Sequence, residues 1–363
     1  MFIIGCDLHT RYQQIAMLDT TTGEVVTRRL EHANGEARVF YTGLLGPVRV
    51  GIEATGCTQW FERLLTELHH ELWIGNAADI RARAVRRQKT DTRDAEHLLD
   101  LLRTQRFPRI WVPSPQERDV RQLLKLRLKL VRMRTSVRNQ LHALAMSEGV
   151  CRKKKLWTQH GREELQALTL DPWASRRRQE LLVLLDQLDP KIDELNEAVI
   201  TEADARPEVR YLIEHQAGVG PVVGLAFVLT VGPVERFRHS AQLVSYLGLN
   251  PSEHSSGGHQ RLGAISKQGN TMTRWLLVEA AQVAAQYDPE LRRTYQRLKL
   301  RRGAQVAKVA LARRLAVRLY WLLRKARVEA TTGLQEEARE EAPPVRTPGS
   351  SAKPMGDASP SLV

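Results

Sequence analysis

Short apolar runs alternate with polar turns through the first 112 residues, which is the pattern of strands and short helices. Runs that predict strands cover residues 1–6, 15–18, 25–30, 48–53 and 72–74. Tight polar turns join the first three runs and so predict a meander, whereas the spacing between the later runs predicts helices near 35–45 and 57–70. The predicted order is β-β-β-α-β-α-β-α, an α/β domain over residues 1–112.

The last of these predicted helices has an unusual face. It begins in the segment Lys89-Thr90-Asp91-Thr92-Arg93-Asp94-Ala95, with Thr90 or Asp91 as its N-cap. Asp91 and Asp94 lie at spacings that share a side with Leu98 and the leucines after it. The lower part of this stripe is apolar and is expected to pack on a core. Two carboxylates therefore stand at the upper end of a core-facing stripe.

Two further carboxylates end predicted strands. Asp7 directly follows the first strand and Glu53 ends the fourth. If these strands are parallel neighbours, both acids emerge at one edge of the sheet, and the helix brings Asp91 and Asp94 over them. Each acid alone is typical of a solvated strand end or of a helix N-terminus. The set of four repels itself without a cation, and its hard oxygen ligands predict Mg²⁺ or Mn²⁺ and phosphoryl transfer.

Residues 113–206 have a longer helical period. Apolar residues recur at steps of three and four from Leu123 to Leu144 and from Leu181 to Val199. These stripes predict two long helices in an antiparallel coiled-coil hairpin. The pair Asp189-Pro190 is expected to kink the second helix or to divide it in two.

Residues 207–328 predict a mainly α-helical third domain. A turn containing Gly218 and Gly220 resembles a helix-hairpin-helix and can point N–H groups at a phosphate, although an ordinary turn explains the pattern equally well. Residues 250–261 contain almost no apolar side chain and precede a helix. Composition alone predicts a flexible surface loop there, while the flanking Arg261 and Lys267 are suited to an anion pocket. Residues 329–363 predict a disordered tail.

The chain is strongly basic, with 55 Lys and Arg against 41 Asp and Glu. The residues after 330 hold three of these bases and five of these acids, so the remainder carries a formal charge of +16. This excess predicts a polyanionic partner, and nucleic acid is favoured over a membrane because no segment is apolar enough to face lipid. Three scattered cysteines and the lack of a signal peptide predict a reducing cytoplasm.

Candidate nucleic-acid contacts fall in four groups along the chain. They are the basic segment before the acidic helix, the basic faces of the first long helix, the glycine turn and the residues that flank the polar loop. The named candidates are Arg81, Arg83, Arg86, Arg87, Arg127, Arg134, Arg138, Gly218, Gly220, Arg261 and Lys267.

Three motifs together carry a family resemblance: Gly5-Cys6-Asp7, Gly51-Ile52-Glu53-Ala54-Thr55-Gly56 and the segment from Lys89 to Ala95. They resemble the RuvC-like, RNase H-type domain of the DEDD transposases, the IS-one-ten family of bacterial insertion sequences, which includes the Piv invertase. The resemblance covers roughly residues 2–326. It implies a RuvC-like α/β domain, a helical coiled-coil hairpin and a mainly α C-terminal transposase domain. Asp7, Glu53, Asp91 and Asp94 match the family's four metal-binding acids.

The same resemblance extends to the polar loop. Ser256-Gly257 matches the family's Ser-Gly motif, and Ser266-Lys267-Gln268-Gly269 matches its Ser-Lys-x-Gly motif. It implies that Ser256 is the catalytic nucleophile, with the adjacent Ser255 as the alternative. It further implies DNA cleavage and rejoining at the nucleoid, a homo-oligomer (dimer or tetramer), and a structured non-coding bridge RNA that selects the DNA.

Two functions of other classes stay open at this point. A RuvC-like junction-resolving nuclease cuts with metal-activated water, and it predicts full activity in a Ser256→Ala protein. A non-catalytic nucleic-acid-binding protein predicts no dependence on metal.

Overall fold

The computed structural model describes residues 1–56, 58–84, 90–151, 155–253 and 261–340, the last eleven as backbone only. The chain divides into two units, Met1–Ser114 and Pro115–Val363. The first unit contains five strands and four helices among its described residues. They are β1 Phe2–Leu8, β2 Tyr12–Asp19, β3 Val25–Glu31, α1 Glu36–Thr42, β4 Val48–Glu53, α2 Gln59–Glu67, β5 Glu71–Gly75, α3 Ala77–Ala82 and α4 Asp91–Arg103. This order confirms the predicted α/β domain and adds α3.

The five strands form one mixed sheet in the order β3-β2-β1-β4-β5. The first three strands are antiparallel neighbours, as the meander predicts. β1 and β4 are parallel neighbours, with Cys6 opposite Ile52. Asp7 and Glu53 are the next residues in the two strands, so the prediction that they share one sheet edge is confirmed.

Helix α4 lies directly on β1. Thr90 caps the helix by accepting a hydrogen bond from the Arg93 N–H, and the predicted apolar stripe is buried. The close approach depends on Gly5, because a Cβ there would lie 2.2 Å from the Ala95 carbonyl oxygen and 2.3 Å from the Leu99 nitrogen. Both contacts are with backbone, which cannot rotate away. The glycine therefore sets how closely the N-terminus of α4 approaches the end of β1.

We expect Gly5→Ala to destabilise the first unit by about 3 kcal/mol, because α4 must move as a whole to admit the methyl group. Gly43→Ala is the matched control, since its Cβ would make ordinary 3.5 Å contacts. Urea unfolding of both proteins measures the difference. Equal stabilities would mean that β1 and α4 are not in direct backbone contact.

The second unit is mostly helical. Its elements are α5 Pro115–Ser147, α6 Gln159–Ala167, α7 Pro172–Asp204, α8 Pro207–His215, α9 Pro221–Val231, α10 Ser240–Tyr246, β6 Pro251–Glu253, β7 Leu262–Ile265, α11 Thr271–Tyr287, α12 Pro289–Arg302 and α13 Ala304–Glu340. Its main core joins α9, α10, α11 and α13. None of the described helices is both long enough and apolar enough to cross a bilayer.

The predicted pair of long helices is present as α5 and α7. The start of α5 shares a core with the end of α7, through Leu124 and Val199, and the later part of α5 packs on Leu185 and Ile192. The helices are therefore antiparallel, while a coiled-coil supercoil stays a prediction. The predicted division of the second helix is wrong, because α7 runs unbroken through Pro190. Apolar packing against α5 on both sides of this proline offsets the lost backbone hydrogen bond.

The last helix is longer than the sequence analysis expects. Residue 329, the predicted start of the disordered tail, lies inside α13, which continues to Glu340. Residues 334–340 are rich in Glu, Leu, Gln, Ala and Arg, all strong helix formers, and this accounts for the continuation.

Candidate active site

Three potential metal ligands meet where β1 ends and α4 begins. The Nε2 atom of His9 lies 3.1 Å from Asp7 Oδ2 and 3.6 Å from Asp91 Oδ2. One ligand atom from each of the three side chains lies within 4.8 Å of the others. The sequence analysis predicted the two acids and missed His9. The available signal was its position two residues after Asp7, because side chains at this spacing share a side of an extended chain.

The other two predicted acids lie outside this three-residue cluster. Glu53 ends the neighbouring strand and its Oε1 lies 3.7 Å from Arg81 Nη2, an exposed ion pair. Asp94 acts on the cluster electrostatically, because its charge raises the pKa of Asp7. The structure thus brings Asp7 and Asp91 together, with Glu53 on the adjacent strand and Asp94 one turn along α4.

The electrostatics of Asp7 indicate a place for a cation. Burial raises the pKa of its carboxyl group above the usual value, and repulsion from Asp94 and Asp91 raises it further, while His9 lowers it. Charge on Asp7 is therefore costly in the metal-free protein. Two carboxylates and an imidazole are a donor set that fits a divalent cation, which would relieve this repulsion.

Tyr12 fixes the orientation of Asp91. Its hydroxyl donates a 2.8 Å hydrogen bond to Asp91 Oδ2, and this bond raises the pKa of the phenol. The tyrosine ring lies between two other side chains, with the His9 ring centroid at 4.7 Å and the Arg29 guanidinium carbon at 3.6 Å. Tyr12 therefore holds one carboxylate from β2 while its ring supports His9. The sequence analysis did not single out this residue.

The strands that flank the predicted nucleophile in sequence pair with each other. Pro251 lies opposite Ile265 and Glu253 opposite Leu262 in the β6–β7 hairpin, which the sequence analysis missed because the segment is so polar. Ser256 and the alternative Ser255 lie outside the described residues, as do Arg86 and Arg87. The role of these four residues stays a prediction.

The Ser-Lys-x-Gly segment is a fixed turn. Lys267 has a φ of 57°, a left-handed conformation that is uncommon for a residue other than glycine. A Cβ at Gly248 would lie 2.2 Å from the Gln268 carbonyl oxygen. The buried Arg274 donates hydrogen bonds to the carbonyls of Leu247 and Gln268, at 3.1 and 2.6 Å. The turn is therefore clamped from both sides, and the Lys267 side chain is exposed.

Several of the predicted nucleic-acid contacts also have partners within the protein. Arg127 donates a 2.6 Å hydrogen bond to Asn196. Arg134 and Arg138 each lie 3.2 Å from a carboxylate oxygen of Asp189. These three guanidiniums cross-link α5 and α7, because they project from the side of α5 that meets its partner. These bonds make the three guanidiniums less available to nucleic acid, and their contact with it stays a prediction.

The remaining candidates differ in their surroundings. A Cβ at Gly218 would lie 2.5 Å from the Ala284 nitrogen, so this glycine is explained by close packing on α11, whereas Gly220 borders open space. Arg83 donates a hydrogen bond to the Arg106 carbonyl. Arg261 is exposed next to β7.

Two transposase family models match parts of the chain. A model described as "Transposase IS116/IS110/IS902 family" matches residues 210–296, and a DEDD transposase model of the IS110 type matches residues 4–147. A "Probable family 20 transposase" of Pseudomonas aeruginosa is 30% identical over 334 residues, which is 88% of this chain and 96% of that protein.

Other relatives carry similar names. The "Transposase for insertion sequence element IS1111A" of Coxiella burnetii is 26% identical over 77% of this chain and 76% of its own length. The corresponding protein of element IS1328 from Yersinia enterocolitica is 26% identical over 76% and 84%. An α/β sheet unit followed by a mostly helical part is consistent with a DEDD, RNase H-like transposase.

Proposed function

The chain belongs to the IS116/IS110/IS902 family of transposases, and from this premise we propose that it excises and inserts DNA with a metal centre and a serine nucleophile. That it is a DNA transposase follows from the family. The finer proposal is carried by one observation, the cluster of Asp7, His9 and Asp91 at the edge of the sheet.

We propose that Asp7 and Asp91 hold Mg²⁺ or Mn²⁺, that Glu53 and Asp94 complete the acidic set, and that His9 adds a nitrogen ligand. A bound divalent cation supplies Lewis-acid stabilisation of the charge that develops on phosphoryl oxygens. The protein supplies the rest. Tyr12 keeps Asp91 oriented, and the close packing of α4 on β1 fixes the separation of the two carboxylates.

The serine takes the covalent part of the reaction. The Ser256 oxygen attacks the DNA phosphorus, a Ser–O–P bond forms, and one ester bond to a deoxyribose oxygen breaks. The serine proton leaves, and the departing sugar oxygen gains a proton. In the joining step a sugar hydroxyl attacks the phosphoserine and releases the serine. The phosphodiester bond energy is kept throughout, and the DNA end stays attached.

We also propose that a structured non-coding RNA guides the choice of DNA and that the protein acts as a dimer or tetramer at the nucleoid. The basic excess of the chain supports a second polyanion besides DNA. Sequencing of RNA that copurifies with the protein tests the first point. A single RNA species encoded next to the gene is expected, and random cellular RNA would contradict it.

The function is tested with DNA that carries the ends of the element. Cutting and joining should require Mg²⁺ or Mn²⁺ and stop when a chelator is added. Metal-independent DNA binding without any cutting would favour the non-catalytic alternative. Cutting that needs metal but survives in Ser256→Ala would favour the junction-resolving nuclease.

We expect His9→Ala to weaken Mn²⁺ binding about tenfold and Mg²⁺ binding less, because imidazole is a better ligand for Mn²⁺ than for Mg²⁺. Titration calorimetry of the DNA-free protein measures both affinities. His160→Ala, a change at an exposed histidine of the second unit, is the control. Unchanged Mn²⁺ affinity in His9→Ala would remove His9 from the ligand set.

A further inference from the structure

Six cations of α5 fall into two groups by the side of the helix that carries them. Arg127, Arg134 and Arg138 are engaged with α7, as described above. Lys125, Lys129 and Arg132 are exposed, and they form no ion pair with any residue that the structure describes. Exposed cations without acidic partners are the ones that remain available to an external anion.

These three side chains share one face and line a groove. Positions i, i+4 and i+7 of a helix lie on one side and extend over about 10 Å along the axis. The groove has a volume of about 590 Å³, and its opposite wall is the start of α11, from Asn270 to Met272. The partial positive charge of a helix N-terminus adds to the potential of the three cations.

The positive charge is concentrated on the α11 side. Among the described residues, none that lines this groove is acidic. On the other side of Lys125 and Lys129 runs a second groove, which is lined also by Asp119 and Glu202. An anion is therefore drawn to the side that faces α11.

The apolar part of the groove's lining argues against a simple inorganic anion as the best ligand. Leu128, Met133 and Met272 line the groove together with the cations. Phosphate ion would use the cations alone, whereas a nucleotide chain has phosphates for the rim and sugars and bases for the apolar surface. The chemistry of the groove thus matches a nucleic-acid strand.

One wall of the groove lies only a few residues along the chain from the β6–β7 hairpin. Its α11 wall begins at Asn270, directly after the clamped turn of Ser266 to Gly269. That turn continues from β7, which pairs with β6 on the other side of Ser256 in the sequence. A strand held in the groove lies next to the hairpin that carries the predicted nucleophile.

We propose that the groove between α5 and the start of α11 binds one strand of the DNA substrate. That the protein binds DNA follows from its being a transposase. The role of the groove in presenting the strand to Ser256 rests on the function proposed above.

The test is a charge change at the groove in the full-length protein. The triple variant Lys125→Gln, Lys129→Gln, Arg132→Gln is compared with wild type for binding of a labelled DNA of the element end, across a range of salt concentrations. Loss of three phosphate contacts should make the negative slope of log affinity against log salt shallower by about two to three. Affinity at low salt should fall at least tenfold. An unchanged slope and affinity would overturn the proposal.

A matched control separates the groove from overall charge. Arg177, Lys191 and Arg210 are exposed, lie in the same unit and form no ion pair with the described residues. Their triple glutamine variant removes the same charge. The proposal expects this control to keep most of the DNA affinity, and an equal loss in both variants would contradict it.

Two further readouts separate the outcomes. If the groove variant loses affinity for the copurifying RNA but not for DNA, the groove binds RNA and the proposal is wrong. The serine mechanism is contradicted by a different measurement, namely DNA cutting by the wild type without a covalent protein–DNA adduct. It leaves the binding result intact, so the two proposals fail independently.

Discussion

Asp7→Asn is expected to bind DNA as well as the wild type and to cut it about a thousand times more slowly. Asp7 lies on the central strand of the sheet, and its carboxylate oxygen is 3.1 Å from the Nε2 atom of His9. Its replacement removes a charged ligand of the proposed metal. A metal stabilises a phosphoryl transition state by several kcal/mol, and every loss of about 1.4 kcal/mol slows the reaction about tenfold. Cleavage of labelled element-end DNA under saturating metal measures the loss.

The same variant should be more stable than the wild type when metal is absent. Burial and the neighbouring acids raise the folded-state pKa of Asp7, so ionising it costs folding free energy once the pH rises above the unfolded-state pKa. The amide side chain of the variant never ionises. The melting temperature of the metal-free variant should therefore exceed that of the wild type at pH 7, and the difference should shrink as the pH falls towards the unfolded-state pKa.

Divalent metal should reverse this order, because it stabilises only a protein that binds it. Glu96→Gln is the control, since Glu96 is exposed on the same helix and outside the cluster. It should leave cutting and metal-dependent stabilisation unchanged. Normal cutting by Asp7→Asn would mean that the metal centre lies elsewhere.

The parts of the fold that were predictable depend on local periodicity. Short apolar runs located all five strands that the structure describes in the first unit. That Asp7 and Glu53 share a sheet edge was predicted on the condition that their strands are parallel neighbours, and they are. The stripe of α4 gave its buried face, because helical spacing alone determines which side chains share a side. Asp7 and Asp91 follow from these two periodicities without any knowledge of tertiary contacts.

The site residues that the sequence did not predict depend on which helices and strands pack against each other. Tyr12 belongs to the site only because β2 folds back beside β1 and α4 packs over it, and no spacing along the chain encodes that contact. His9 did have a local signal, its position two residues after Asp7. The arginines of α5 look equivalent in the sequence. Packing against α7 engages Arg134 and leaves Arg132 without an ion pair among the described residues, although the two arginines are close neighbours in the chain.

At Pro190, tertiary packing prevents a feature that the local sequence predicted. Local propensity predicted either a kink or a division into two helices, and the division is wrong because a continuous apolar interface keeps the helix in one piece. Propensity is a weak guide wherever tertiary packing acts on both sides of the residue.

Ser256→Ala is expected to bind DNA and metal normally, and to lose both DNA cutting and any covalent protein–DNA species. A serine hydroxyl is a weak nucleophile at neutral pH unless a base or a metal activates it. The acids of the first unit are the best candidates for the metal that does so. The effect should be as large as that of Asp7→Asn, because the proposed reaction needs both the metal and the nucleophile.

The decisive measurement is a trap of wild-type protein on DNA, followed by mass spectrometry of the adduct. Ser255→Ala is the matched control, one residue away, and should retain both the adduct and most of the cutting. An adduct on Ser255 would move the nucleophile by one position. Cutting by the wild type without any adduct would favour activated water and hence a resolvase mechanism.

A mixing experiment tests whether the acids and the serine that act together belong to one subunit or to two. Ser256→Ala and Asp91→Ala are each expected to be inactive, because each lacks a component that the other retains. If one subunit supplies the acids and another the serine, a mixed oligomer contains one intact combination and regains part of the wild-type rate. If both parts come from one subunit, every subunit in the mixture is defective and no activity returns. Partial recovery would therefore assign the acids and the serine to different subunits. A mixture that stays inactive, with mixed oligomers verified by differently tagged subunits, would place the whole site within one subunit.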